Sequence, residues 1–91
     1  MNKFMCYRVY TETKQVGKLI KLANKLFPGY TLYHATGYWK EQNEKSTIFE
    51  IIGEKNIVLS DNVYRFAERI KEINNQESVL ITSNEITTKF I

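Results

Sequence analysis

The sequence predicts an α+β domain in the order βαββαβ, with an antiparallel four-stranded sheet and two helices on one of its faces. Three observations carry this. Two segments repeat their apolar residues at steps of three and four, the helical period. They alternate with aromatic and β-branched runs of strand length, and Gly, Pro or Asn punctuates the boundaries.

Taken in order, "KFMCYRVY" (3–10) is rich in aromatic and β-compatible residues and reads as the first strand. Val16, Leu19, Ile20, Ala23, Leu26 and Phe27 then share one face of a helix, with Thr11 or Thr13 as the expected N-cap and Pro28-Gly29 as the stop. "YTLYHAT" (30–36) and "STIFEIIG" (46–53) are two strands of a hairpin, joined by the polar segment "GYWKEQNEK" (37–45), in which Gly37 is expected to form a bulge. Ser60-Asp61 offers a second helix start. Val63, Phe66, Ala67, Ile70 and Ile73 give its apolar stripe, and Asn74-Asn75 its end. "SVLIT" (78–82) is the fourth strand, and the alternation of "EITTKFI" (85–91) predicts a short extra strand at the C-terminus. This order is that of the ferredoxin-like, or split βαβ, sandwich, formed as a single domain over residues 1–91.

Composition narrows the function. The chain has 91 residues, 43% hydrophobic and 25% charged, which suits one modest core. No apolar run approaches the ~18 residues of a membrane span, so a cytoplasmic protein without membrane contact is expected. One cysteine, Cys6, and one histidine, His34, exclude an internal disulfide and metal-ligand spacing, and no cofactor is implied. The net charge of +3 is mild and its signs are interspersed. Lys14, Lys18, Lys21 and Lys25 form a stripe opposite the apolar face of the first helix, which reads as a solvated surface, since no aromatic residue is interleaved with it.

Strand parity adds a further expectation. In the first strand Met5, Tyr7 and Val9 alternate with Phe4, Cys6, Arg8 and Tyr10, and in "TIFEII" neither face is polar. A sheet covered by helices on one side only should show a solvated second face. Here a second subunit, a ligand or the tail is expected to cover it, with a homodimer or small ring favoured. Glu50 between two isoleucines needs a cation, which Arg8 or Lys40 could supply.

The element order resembles the PII signalling proteins, in which the loop between the second and third strands is the functional element. Residues 37–45 hold that place. None of that family's phosphate-binding or modification motifs is present and the loop is shorter, so no functional residue is carried over. "FPGYTLYHATGYWK", "STIFEII" and "NNQESVLIT" also look like short proteins of bacterial and phage genomes.

Together these features point to a non-enzymatic oligomeric binding module, of phage or mobile-element type, for a small anionic ligand such as a nucleotide signal. The residues expected to bind it are Arg8, Tyr10, His34, Tyr38, Trp39 and Lys40, with the rings for stacking and Lys40 for phosphate. No Gly-rich phosphate loop or nucleophile motif is present, and His34 has no acid or nucleophile partner, so no catalytic residue is assigned. A module that docks or inhibits a host protein through the aromatic hairpin is the alternative. An RNA-binding domain stacking bases on Tyr10, Phe4 and Phe49 is a weaker one, because "STIFEIIG" lacks the basic, Gly-containing motif of such domains.

Overall fold

A computed structural model of the chain describes residues 2–91. The elements run β1 (Phe4–Glu12), α1 (Val16–Leu26), β2 (Thr31–Trp39), β3 (Gln42–Glu54), α2 (Ile57–Asn74) and β4 (Leu80–Ile86). The strands form one antiparallel sheet in the order β2-β3-β1-β4, the ferredoxin-like arrangement. None of the described helices is long and apolar enough to cross a membrane.

Both helices pack on one face. Met5, Tyr7, Val9, Phe49 and Ile51 point toward them and meet Leu19, Ala23, Val63, Phe66 and Ile70 in one core. Phe66 stands edge-on to Phe49 at 4.9 Å and to Phe27 at 5.6 Å, the T-shaped geometry that aromatic quadrupoles favour. Both helical stripes read from the sequence are therefore the core stripes.

Several boundaries differ from expectation, each for a local reason. The hairpin is longer and its turn tighter. Trp39 pairs with Gln42, leaving Lys40 and Glu41 as a two-residue turn with φ of 49° and 65°. Positive φ at both central residues is the type I′ pattern, whose twist matches that of the strands it joins. Most of the polar run "KEQNEK" is thus the start of β3, solvated because it projects past the helices. Gly37 pairs regularly with Glu44 and forms no bulge.

The start of α1 is set by Gln15 in a left-handed conformation with no side-chain cap, while Thr11 lies in β1 and Thr13 bonds elsewhere. Helix α2 begins at Ile57, a turn earlier than Ser60-Asp61, because the Asn56 side chain accepts the Leu59 N–H at 2.8 Å. Its end is as expected, with Asn75 as a left-handed C-cap. The last strand starts at Leu80 and runs to Ile86, and residues 87–91 form no extra strand. Residues 87–90 instead line a cleft with Thr31, Glu50 and Ile52, and so cross β1 on the side away from the helices. Cys6, on this same side of β1, is only 3% exposed.

An ion cluster ties the β3–α2 junction to β4. Lys55 Nζ lies 2.8 Å from Glu85 Oε1, and Lys3 is 4.0 Å from the same oxygen. The hydrogen bond from Lys55, reinforced by the charge of Lys3, holds the Glu85 carboxyl below its ordinary pKa, and Glu85 in turn raises that of Lys55.

Two outcomes are expected from these local features. Replacing Glu41 by Gly relieves a left-handed non-glycine residue and should stabilise the fold by roughly 0.5–1 kcal/mol in urea denaturation. Because Glu85 is depressed, its contribution is present above the ordinary carboxylate range and disappears as pH falls through its folded-state value. The Lys55 contribution is lost only as pH rises through its raised value. An NMR titration should therefore find Glu85 below the ordinary carboxylate range, and Lys55→Met should remove most of that shift.

Candidate ligand-binding cleft

The uncovered face of the sheet is organised in rows across the strands. Tyr33, Ile48, Tyr10 and Leu80 lie side by side in register, and the next row is Thr31, Glu50, Arg8 and Thr82. Glu50 accepts a hydrogen bond from Arg8 Nε at 2.9 Å and a longer one from the Tyr33 hydroxyl at 3.4 Å. Arg8 is thus the cation that Glu50 needed, and that bond raises the guanidinium pKa. Burial likewise raises the Cys6 thiol, against a smaller lowering by Arg8.

At the hairpin end of this face lies a cleft of about 760 Å³. Tyr10, Trp39 and Leu80 give it apolar surface, Glu12 and Glu44 line it from β1 and β3, and the α2–β4 turn closes it with Gln76, Glu77 and Ser78. Trp39 is 67% exposed and its ring carries Lys40 Nζ at 5.9 Å from the centroid. Two aromatic rings, three carboxylates and one lysine, Lys45, make this wall acidic. It can stack a flat ring and accept hydrogen bonds, and it holds little positive charge for a phosphate.

The six residues expected to bind ligand do not form a single group. Tyr10 and Trp39 line the cleft together, Arg8 lies one row beyond Tyr10 and is committed to Glu50, and Lys40 sits in the turn at the rim. His34 belongs to the opposite, helix-side face. Its Nδ1 is 2.9 Å from Thr47 Oγ1, which also meets Thr13 Oγ1 at 3.0 Å, beside a separate hollow of about 390 Å³. Tyr38 is on that side as well, 74% exposed because the hairpin extends past the helices. Neither hairpin ring enters the core. Among the described residues no group of three or more His, Cys, Asp or Glu is placed to hold a metal ion.

Sequence reading missed Glu12, Glu44 and Gln76. Strand parity could have placed Glu12 beside Tyr10, since residues two apart share a face. Gln76 had a weaker signal, the run of amides "NNQ" at the end of a helix. Its side chain belongs to a buried network. Asn74, 1% exposed, donates to Thr11 Oγ1 at 3.2 Å and to Gln76 Oε1 at 3.1 Å, and the Thr11 hydroxyl is 2.8 Å from the same Gln76 oxygen. Lys14 Nζ, one of the expected solvated stripe, turns back to the Asn74 carbonyl at 2.8 Å. Asn74 Oδ1 has no partner, and leaving a buried acceptor unpaired costs about 1–3 kcal/mol.

No protein-family model matches this sequence, and no curated protein matches it. Solved structures do. A phage SAM lyase in complex with S-methyl-5′-thioadenosine is 18% identical, with a TM-score of 0.68 over 97% of this chain and 92% of the other. The ATP complex of GlnK from B. subtilis is 20% identical, with a TM-score of 0.67 over 92% and 82%. A nitrogen regulatory PII-like protein from Thiomonas intermedia K12, bound to ADP, AMP and bicarbonate, is 13% identical, with a TM-score of 0.62 over 98% and 97%. At these identities the likeness is one of fold, and the fold is the PII-like one that the element order resembles.

Proposed function

We propose that this chain is a non-enzymatic binding module that works as a homo-oligomer in the cytoplasm and takes a nucleoside-type ligand in the cleft between the hairpin and the α2–β4 turn. The observation that carries the reading is a single cleft lined by two aromatic residues, Tyr10 and Trp39, and by hydrogen-bonding groups between and beside them. The likeness to structures holding ATP, ADP with AMP, or S-methyl-5′-thioadenosine supports it. The ligand's base stacks on an aromatic ring of the cleft, a sequence-tolerant contact worth about 1–3 kcal/mol per base.

The acidic wall revises the expected charge. Glu12, Glu44 and Glu77 disfavour phosphate inside the cleft, so a nucleotide would direct its phosphates to the rim, where Lys40 and Lys45 lie, and an uncharged or cationic nucleoside would fit throughout. Exposed Tyr33 and Leu80, at the two ends of the row that also holds half-buried Tyr10, support assembly through the uncovered face, and a phage or mobile-element origin agrees with the first of these likenesses.

A native mass spectrum of the purified protein should show a dimer or higher oligomer. Adenosine should raise its melting temperature, and Trp39→Ala should weaken adenosine binding about tenfold. A monomer at micromolar concentration would remove the assembly reading, and unchanged affinity in Trp39→Ala would remove the cleft.

One observation favours a second reading. The phage lyase likeness spans nearly the whole chain, and Glu12 and Glu44 bring carboxylates to the wall that carries Tyr10 and Trp39. A lyase would break the bond between the sulfonium and the γ-carbon of S-adenosylmethionine, releasing S-methyl-5′-thioadenosine with the sulfur's electron pair while the substrate's own carboxylate closes on that carbon as a lactone. Chromatography after incubation of the two should detect none above the uncatalysed background if the protein only binds. Release that is abolished by Glu44→Gln would make it an enzyme.

A further inference from the structure

We infer that Gln76 is the specificity-determining side chain of this cleft, and that Asn74 and Thr11 hold it so that it offers the ligand a hydrogen-bond donor and no acceptor. The inference rests on the nucleoside reading above and concerns how the ligand is distinguished.

A glutamine side chain is ordinarily ambivalent, since its carboxamide can turn over and present either its oxygen or its nitrogen. Here the surroundings remove that freedom. Gln76 Oε1 receives both the Thr11 hydroxyl at 2.8 Å and an Asn74 N–H at 3.1 Å, which fills its two lone pairs. Gln76 Nε2 donates one hydrogen to the Ser78 carbonyl at 2.8 Å. Turning the amide over would set its oxygen against that carbonyl and its NH2 group against the NH2 group of Asn74. The backbone carbonyl of Ser78, which can only accept, therefore fixes the polarity of the whole chain of bonds.

Asn74 enforces this from below. It is buried at the last turn of α2, and both of its amide hydrogens are used, one on Thr11 and one on Gln76. Its own oxygen is left without a partner. A buried asparagine that orients its neighbour while leaving itself half satisfied is a poor arrangement for packing and a good one for positioning. What remains of Gln76 is a single N–H, and its residue lines the cleft beside Tyr10 and Trp39. A flat heterocycle stacked at the Tyr10 end of that cleft, where Gln76 is tied to Thr11, would meet that N–H with a ring nitrogen or carbonyl oxygen.

The chemical class is thus an aromatic heterocycle with an acceptor on the edge that faces the α2–β4 turn, and adenosine with its 1-deaza, 3-deaza and 7-deaza analogues is the probe. In the wild-type protein one of the three analogues, each lacking one ring nitrogen, should bind at least tenfold more weakly than adenosine by calorimetry. Gln76→Glu keeps an oxygen for Thr11 and Asn74 but loses the donor. It should weaken adenosine by a similar factor and erase the difference between adenosine and that analogue. Thr11→Val, close in volume, should reduce the discrimination and speed hydrogen exchange of the Gln76 side-chain amide. Three equal deaza affinities in the wild type, or an unchanged pattern in Gln76→Glu, would overturn the assignment alone. Absence of any nucleoside binding to the wild type would overturn the underlying reading and this inference with it.

Discussion

Strand β1 pairs along its length with β3 on one side and β4 on the other, and its register decides what every other part of the molecule can do. Because side chains alternate, one register sends Met5, Tyr7 and Val9 to the helices and Cys6, Arg8 and Tyr10 to the uncovered face. A slip of one residue would exchange the two sets, putting a guanidinium into the core and stranding the aromatic partners of Phe66. Val9 opposite Phe49 and Tyr7 opposite Ile51 lock the arrangement from the core side. Arg8 opposite Glu50 marks it from the other, where the pair is partly open to solvent and serves alignment more than stability.

The cleft follows from that register and from a mismatch of lengths. Strands β2 and β3 extend past both helices, so the end of the hairpin has no second layer and its side chains are solvated on both sides. Trp39 falls on the face that Tyr10 shares, and the α2–β4 turn supplies the remaining wall. Rigidity there comes from hydrogen bonds instead of packing. Thr11, Asn74 and Gln76 join the end of β1 to the end of α2, and Lys14 clasps the same helix end from the β1–α1 loop. A site built this way has an open mouth and an ordered floor, which suits a ligand that is held by stacking and oriented by polar contacts.

The tail gives the uncovered face a different character at its other end. Residues 87–90 cross it near Ile52, and the Cys6 thiol on this face is buried although no helix lies above it. Apolar exposure on this face is found at both ends, in Ile52 and Phe90 near the tail and in Tyr33, Leu80 and Trp39 toward the cleft. Assembly through this face and ligand binding at its rim would share residues, so each would influence the other.

Both helical stripes, the element order and the division of β1 into two faces were legible in the residues, because periods of 3.6 and 2 are local properties of the chain. So was the need of Glu50 for a cation. The hairpin turn was misjudged because polarity marks solvent contact, and strands that outrun their covering layer are as solvated as a loop. The C-terminal alternation "EITTKFI" was misjudged because β4 already includes Glu85 and Ile86, and the last residues turn onto the sheet face. His34 and Trp39 were grouped by residue type, yet residues five apart on a strand point to opposite sides. By itself the sequence determined which segments become helix or strand and which side chains share a face. Only the tertiary structure decided that Thr11, Asn74 and Gln76, from two distant parts of the chain, meet at one end of the cleft that Tyr10 and Trp39 line, because that meeting depends on where the end of α2 lands against β1.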